Sequence, residues 1–233
     1  MSSKIFGPRV CIGGLPGIGS VGKVAADCIG TTLESETLKA IVSPAFPAQV
    51  MLVDGVAMPL RVELKSSEIR DDIMILSGDA QPLTPQGMYR LAGQILDTVR
   101  AFGVTDFITL AAYVGDSEEM VIGVATDSDL AKELERNGIA LLRNGIVGGL
   151  NGILVGLCPF YGMRGVCLMG KTSGENLVDI EAAKNLMKVA GAFLQMDISI
   201  LKLELDETLG NEENVPRTQE WQPFKDDFQM GYR

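Results

Sequence analysis

Apolar residues along the chain follow two rhythms, short continuous runs typical of buried strands and longer stretches with an apolar residue at every third or fourth position, typical of amphipathic helices. Residues 9–13 form a short apolar run that predicts a strand entering a glycine loop at 14–19. Val21, Val24, Ala25, Cys28 and Ile29 then mark a helix over 20–32, and residues 38–42 read as a second strand, which makes a first β-loop-α-β unit. Residues 49–53 and 56–64 flank Asp54-Gly55, a pair that favours a type I′ turn, so they read as a hairpin extending one edge of the sheet.

Residues 72–77 are a buried-type strand. Thr84-Pro85 supplies a capping residue and a proline in the first helical turn, and Met88, Leu91, Ala92, Ile95, Val99 and Phe102 give the next helix its apolar face before Gly103 stops it. Strands follow at 107–112 and 120–125, with the polar residues 115–119 between them. Thr126 and Asp129 read as a capping-box-like start to a helix that ends at Asn137-Gly138, and 139–142 as a short strand. The last elements are a strand at 164–169, an amphipathic helix at 179–195 and a short helix at 200–209. Alternation of the two signals along nearly the whole chain predicts an α/β fold. After Leu209 the composition turns polar, so residues 1–209 read as one α/β domain and 210–233 as an extended C-terminal tail ending in Phe228, Met230 and Tyr232.

Composition narrows the chemistry. Among 233 residues there is no histidine, which removes imidazole-based nucleophile pairs and His-containing zinc sites. Aromatic residues make up 6% against 46% hydrophobic overall, so Val, Ile, Leu, Met and Ala must fill the core, as in sheets covered by helices on both faces. The net charge of −10, with no basic patch interleaved with aromatics, argues against nucleic acid. Cys11, Cys28, Cys158 and Cys167 lie in apolar runs without CxxC spacing and read as buried reduced thiols, not as metal ligands. The N-terminal residues have no apolar segment of signal-peptide length, which gives a cytoplasmic expectation.

Gly17, Gly19 and Gly22 satisfy G-x-G-x-x-G between a strand and a helix, a context in which backbone amides can hold a pyrophosphate. A dinucleotide fold also places an acidic residue at the end of its second strand, and Val42-Ser43-Pro44 supplies none. The plainer reading is glycine used for a tight turn and close helix-sheet contact. Asp79 and Gln81 follow one strand and Asp116 and Glu118 another, so both groups sit where open α/β folds place ligands. Residues 144–163 carry no charge, but six glycines and Pro159 interrupt them, and Gly148, Gly152 and Gly156 recur at every fourth position. That segment reads as tight packing in the core or between subunits, and no membrane span is expected.

Gly14-Leu15-Pro16-Gly17-Ile18-Gly19-Ser20-Val21-Gly22, the strand leading into Gly78-Asp79-Ala80-Gln81-Pro82, and the glycine-rich segment followed by Asp179-Ile180-Glu181-Ala182-Ala183 resemble the archaeal PAC2 family of proteasome assembly chaperone relatives. The resemblance covers about residues 8–209. It implies a three-layer α/β/α sandwich similar to nucleoside phosphorylases, a homo-oligomer without catalytic residues, cofactor or metal, and chaperoning of 20S proteasome α-subunits. Some members bind through a C-terminal hydrophobic-Tyr-any tripeptide that inserts between neighbouring α-subunits. Here Gly231-Tyr232-Arg233 ends the chain, with tyrosine in place, glycine at the hydrophobic position and Met230 one residue earlier. The partner-binding residues implied are thus Met230, Tyr232 and Arg233. The competing class is a nucleotide- or small-molecule-binding enzyme, ATP-grasp-like or phosphorylase-like, using Gly17, Gly19, Gly22 and Asp79.

Overall fold

A computed structural model describes residues 9–196. The expected short helix at 200–209, the domain boundary at 209 and the tail residues Met230, Tyr232 and Arg233 lie outside the described residues.

The elements in chain order are β1 (Val10–Gly14), α1 (Val21–Thr32), β2 (Glu36–Ile41), β3 (Val50–Val53), β4 (Val56–Pro59), β5 (Val62–Ser66), β6 (Ile73–Gly78) and α2 (Pro85–Ala101). They continue with β7 (Asp106–Tyr113), β8 (Val121–Ala125), α3 (Ser128–Arg136), β9 (Ala140–Leu141), α4 (Gly149–Leu157), β10 (Arg164–Lys171) and α5 (Ile180–Phe193). Eight strands form one sheet in the order β2-β5-β6-β1-β7-β10-β8-β9, whose centre, β6-β1-β7-β10, is parallel.

Side chains alternate across this sheet and divide the core into two layers. Val10, Ile12, Ile73, Ile75, Ile108 and Leu110 face α1 and α5, packing on Ala25, Ile29, Leu186 and Ala190. Cys11, Met74, Leu76 and Phe107 face the opposite way, onto Leu91, Ile95 and Val99 of α2 and Leu150 and Leu154 of α4. The result is the three-layer α/β/α sandwich. Both faces of the central strands are covered, which is why they read as continuous apolar runs.

Four readings of the pattern are corrected. The second strand begins at Glu36 and lies at the sheet edge, with β5 and β6 between it and β1, so α1 does not join neighbouring strands. The hairpin does not extend the sheet. β3 and β4 form a separate two-stranded unit, and the run expected to continue its second arm breaks after Pro59 and resumes as β5 inside the main sheet. The turn is as expected, with positive φ at Asp54 (49°) and Gly55 (78°). Asp127, not Thr126, caps α3, its carboxylate accepting from the Asp129 and Leu130 amides, while the Thr126 hydroxyl oxygen accepts from the Gly165 amide. Finally, Gly148 and Gly156 of the uncharged segment face open space within the protomer, and only Gly152 makes a close approach, 2.4 Å from the Val147 carbonyl oxygen for an added Cβ. No helix among the described residues is long and apolar enough to cross a membrane.

Candidate functional site

The parallel strands β1 and β6 end nearly level, Gly14 opposite Ser77, while β7 runs on from Leu110, which faces Gly14, to Tyr113; the glycine loop follows β1 at this end of the sheet. Its glycines divide into two kinds. A Cβ on Gly14 would lie 2.0 Å from the Gly22 carbonyl oxygen, and one on Gly22 would lie 2.0 Å from the Leu110 carbonyl oxygen. These two residues let the first turn of α1 sit directly on β1 and β7, a packing role. Gly17 is exposed, and an added Cβ there would meet nothing closer than 3.9 Å. Gly19 has φ of 57°, and its Cβ position faces the Asp179 Cβ at 3.1 Å.

Three side chains hold the loop. The Gln81 side-chain amide donates to the Pro16 carbonyl, and its Oε1 accepts from the Leu150 amide at 2.8 Å, tying the loop to the start of α4. Buried Asn151 donates to the Leu15 carbonyl at 3.4 Å. Asp179 caps α5 by accepting from the Ala182 amide at 3.0 Å, accepts from the Thr172 hydroxyl at 2.6 Å, and donates its own amide to the Gly19 carbonyl at 2.8 Å. Asp179 thus ties the start of α5 to Gly19, two residues before α1, while its carboxylate is engaged by Ala182 and Thr172. The roles of Asn151 and Asp179 escape sequence reasoning, because each is about 136 or 160 positions from the loop it holds.

Asp79 is not part of the loop. It exchanges backbone and side-chain hydrogen bonds with Arg61, accepting from the Arg61 amide at 2.9 Å, and lines a polar cleft of about 270 Å³ between α1 and β5. In that cleft Lys23 donates to Asp27 at 2.8 Å and to Ser77 at 3.3 Å, and the Ser77 hydroxyl donates to Asp27. Glu63 is paired with Arg61 at 2.7 Å and Lys65 at 3.6 Å. The charged groups of this cleft therefore partner one another. Asp116 and Glu118 are exposed in the loop between β7 and β8 and do not line the cleft that Asp79 lines.

All four cysteines are buried, and none forms a disulfide. Burial pushes the Cys167 thiol up to about 11 and the Cys158 thiol up to about 12, and raises Cys11 further, so these thiols stay protonated at neutral pH and are poor nucleophiles. No group of three or more Cys, Asp or Glu suited to a metal occurs among the described residues.

The fold recurs in known proteins. Pyrococcus furiosus PbaB, described as an archaeal proteasome activator, superposes with a TM-score of 0.76 at 28% identity, covering 89% of this chain and 93% of that one. Pyrococcus furiosus PbaA, described as an archaeal homolog of proteasome-assembly chaperone, gives 0.73 at 25% identity over 89% and 91%. In sequence, an uncharacterized protein of Methanocaldococcus jannaschii, MJ1210, is 32% identical over 199 residues, 83% of this chain and 76% of the relative. The PAC2 family pattern matches residues 11–212, so the glycine loop, both core layers and the Asp179 cap all fall inside it, and the chain belongs to the PAC2 family.

Proposed function

We propose that this protein is a non-enzymatic chaperone or adaptor of the 20S proteasome, binding α-subunits partly through its C-terminal residues Met230, Tyr232 and Arg233, in the cytoplasm and as a homo-oligomer. The observation that carries this reading is similarity to PbaB and PbaA over 89% of this chain, at TM-scores of 0.76 and 0.73 and identities of 28% and 25%. The chemistry of the described residues supports it: the glycine loop is occupied with packing at Gly14 and Gly22, and the cleft charges neutralise one another. The Tyr232 side chain offers an apolar ring with a polar tip that a groove on another protein can capture. Several tails on one body gain over a single tail through effective concentration.

The full chain mixed with recombinant α-rings is expected to co-migrate with them on native gels. Co-migration failing at every ratio contradicts the reading. Against the nucleotide-binding enzyme, ATP, nucleosides and Mg²⁺ are expected to leave the melting temperature unchanged. A ligand that occupied the native state at about 100 times its Kd would add roughly 2.7 kcal/mol of stability, a shift easily seen by differential scanning fluorimetry.

A further inference from the structure

Two loops meet beside the glycine loop, the segment 114–120 between β7 and β8 and the segment 172–179 between β10 and α5. The Thr172 amide donates to the Tyr113 carbonyl at 3.0 Å, the Lys171 amine donates to the Ser117 carbonyl at 2.5 Å, and the Asp179 amide donates to the Gly19 carbonyl at 2.8 Å. These bonds join the three loops into one surface. Gly174 lies between two apolar side chains of it, since a Cβ there would be 3.1 Å from Val114 Cγ2 and 3.6 Å from Ile18 Cγ2. Val114 is 58% exposed, Ile18 36% and Leu177, three residues after Gly174, 76%. None of the three joins the buried core.

The same loops carry Asp116, Glu118, Glu119 and Glu175, all exposed. Asp27, Glu63, Asp97, Glu133 and Glu135 are each paired with a Lys or Arg, but among the described residues no salt bridge engages any of the four loop carboxylates. An uncovered apolar centre is thus rimmed by unneutralised negative charge. That charge decides the occupant. A second copy at −10, nucleic acid and an anionic membrane all bring the same sign, and the chain's own residues 197–233 hold more acidic than basic side chains. A small cation alone would leave the apolar side chains unused.

We propose that this face docks a basic segment of a partner protein, one apolar side chain of that segment seated on Ile18, Val114 and Leu177 and its flanking Lys or Arg residues set against Asp116, Glu118, Glu119 and Glu175. The apolar contact fixes the position of the segment, while the charges speed its approach and select against acidic partners. Such a face covers less than the roughly 800 Å² per partner of a stable interface, so binding is weak, and its exposed charges make it sensitive to salt. The docking uses none of the C-terminal residues and stands independently of the function proposed above.

Fluorescence anisotropy with a labelled synthetic peptide, one leucine flanked on each side by two lysines, tests this on the full chain with no proteasome present. The peptide is expected to bind at about 50 mM salt and to lose at least about tenfold in affinity at about 500 mM. A serine in place of its leucine is expected to cost at least about fivefold, and glutamates in place of its lysines to abolish binding. Leu177→Ser is expected to weaken the leucine peptide at least about threefold and to leave the serine peptide unchanged. Glu118→Lys with Glu175→Lys is expected to weaken the leucine peptide at least about tenfold. Glu68→Lys with Asp71→Lys, the same change in net charge placed just before β6 at the opposite end of the sheet, is expected to alter it less than about twofold. All five positions are exposed, and melting temperatures check that each fold is kept. No binding by the wild type, equal binding of the leucine and serine peptides, or equal losses from the two double variants overturns the proposal.

Discussion

Replacing Gly22 by alanine is expected to destabilise the domain by about 3 kcal/mol, the upper end of the usual overpacking cost, and to lower the melting temperature by roughly 6–12 °C for a domain of this size. The added methyl would lie 2.0 Å from the Leu110 carbonyl oxygen and 2.6 Å from its carbon. Both are backbone atoms of a central strand that is hydrogen-bonded on both sides, to β1 and to β10. Relief requires α1 to lift off the sheet, and that movement opens contacts of Val21, Ala25 and Ile29 across the α1-side core. Gly17→Ala, in the same motif, meets nothing closer than 3.9 Å and is expected to change the melting temperature by less than about 2 °C. Thermal denaturation of the two variants side by side separates a packing glycine from one with no packing role. Equal and small effects would contradict the packing role of Gly22.

Phe107→Ala is expected to cost about 3–5 kcal/mol. The ring is fully buried among Cys11, Leu76 and the α2 residues, and its edge passes beside the backbone of Gly13, where a Cβ would lie 3.0 Å from Cε1 and 3.3 Å from Cζ. Phe107 therefore occupies room that glycine leaves on the neighbouring strand. Gly13→Ala alone crowds the ring. In the Phe107→Ala background the same methyl enters the vacated space, so the double variant is expected to be more stable than the sum of the single effects by about 1 kcal/mol. Urea unfolding of the four proteins measures this coupling, and strict additivity would remove the link between the two positions.

The central strands and the helices α2 and α5 were legible because each satisfies a local rule that tertiary structure does not overrule. Residues 72–77 lie within one position of β6, and Thr84-Pro85 opens α2 with the Thr84 hydroxyl oxygen accepting from the Gly87 amide. The β3–β4 arm was misplaced because apolar residues on both strand faces look the same whether two layers of helices cover them or nothing does. The α3 cap was displaced by one residue because Thr126 and Asp127 are both competent acceptors, and a contact with Gly165, remote in sequence, engages Thr126. The glycine loop was found but its purpose was not decided by spacing. Only the packing that brings Gly22 onto Leu110 and Gly14 onto Gly22 shows which glycines are obligatory, and only the return of the chain at Asp179 brings the start of α5 to Gly19. Gln81 was visible as a residue at a strand end, while its two partners, Pro16 and Leu150, become neighbours only through folding.

Titration of proteasome α-rings with the full chain, with a chain lacking residues 231–233, and with Tyr232→Ala tests the proposed function most directly. Loss of a weak tail from each copy removes a multivalent gain that can reach roughly 10²–10⁴-fold, so both altered chains are expected to bind at least about tenfold more weakly than the full chain while melting at the same temperature. Equal binding by all three would contradict the tail mechanism, and absence of binding by the full chain would contradict the assignment to the proteasome.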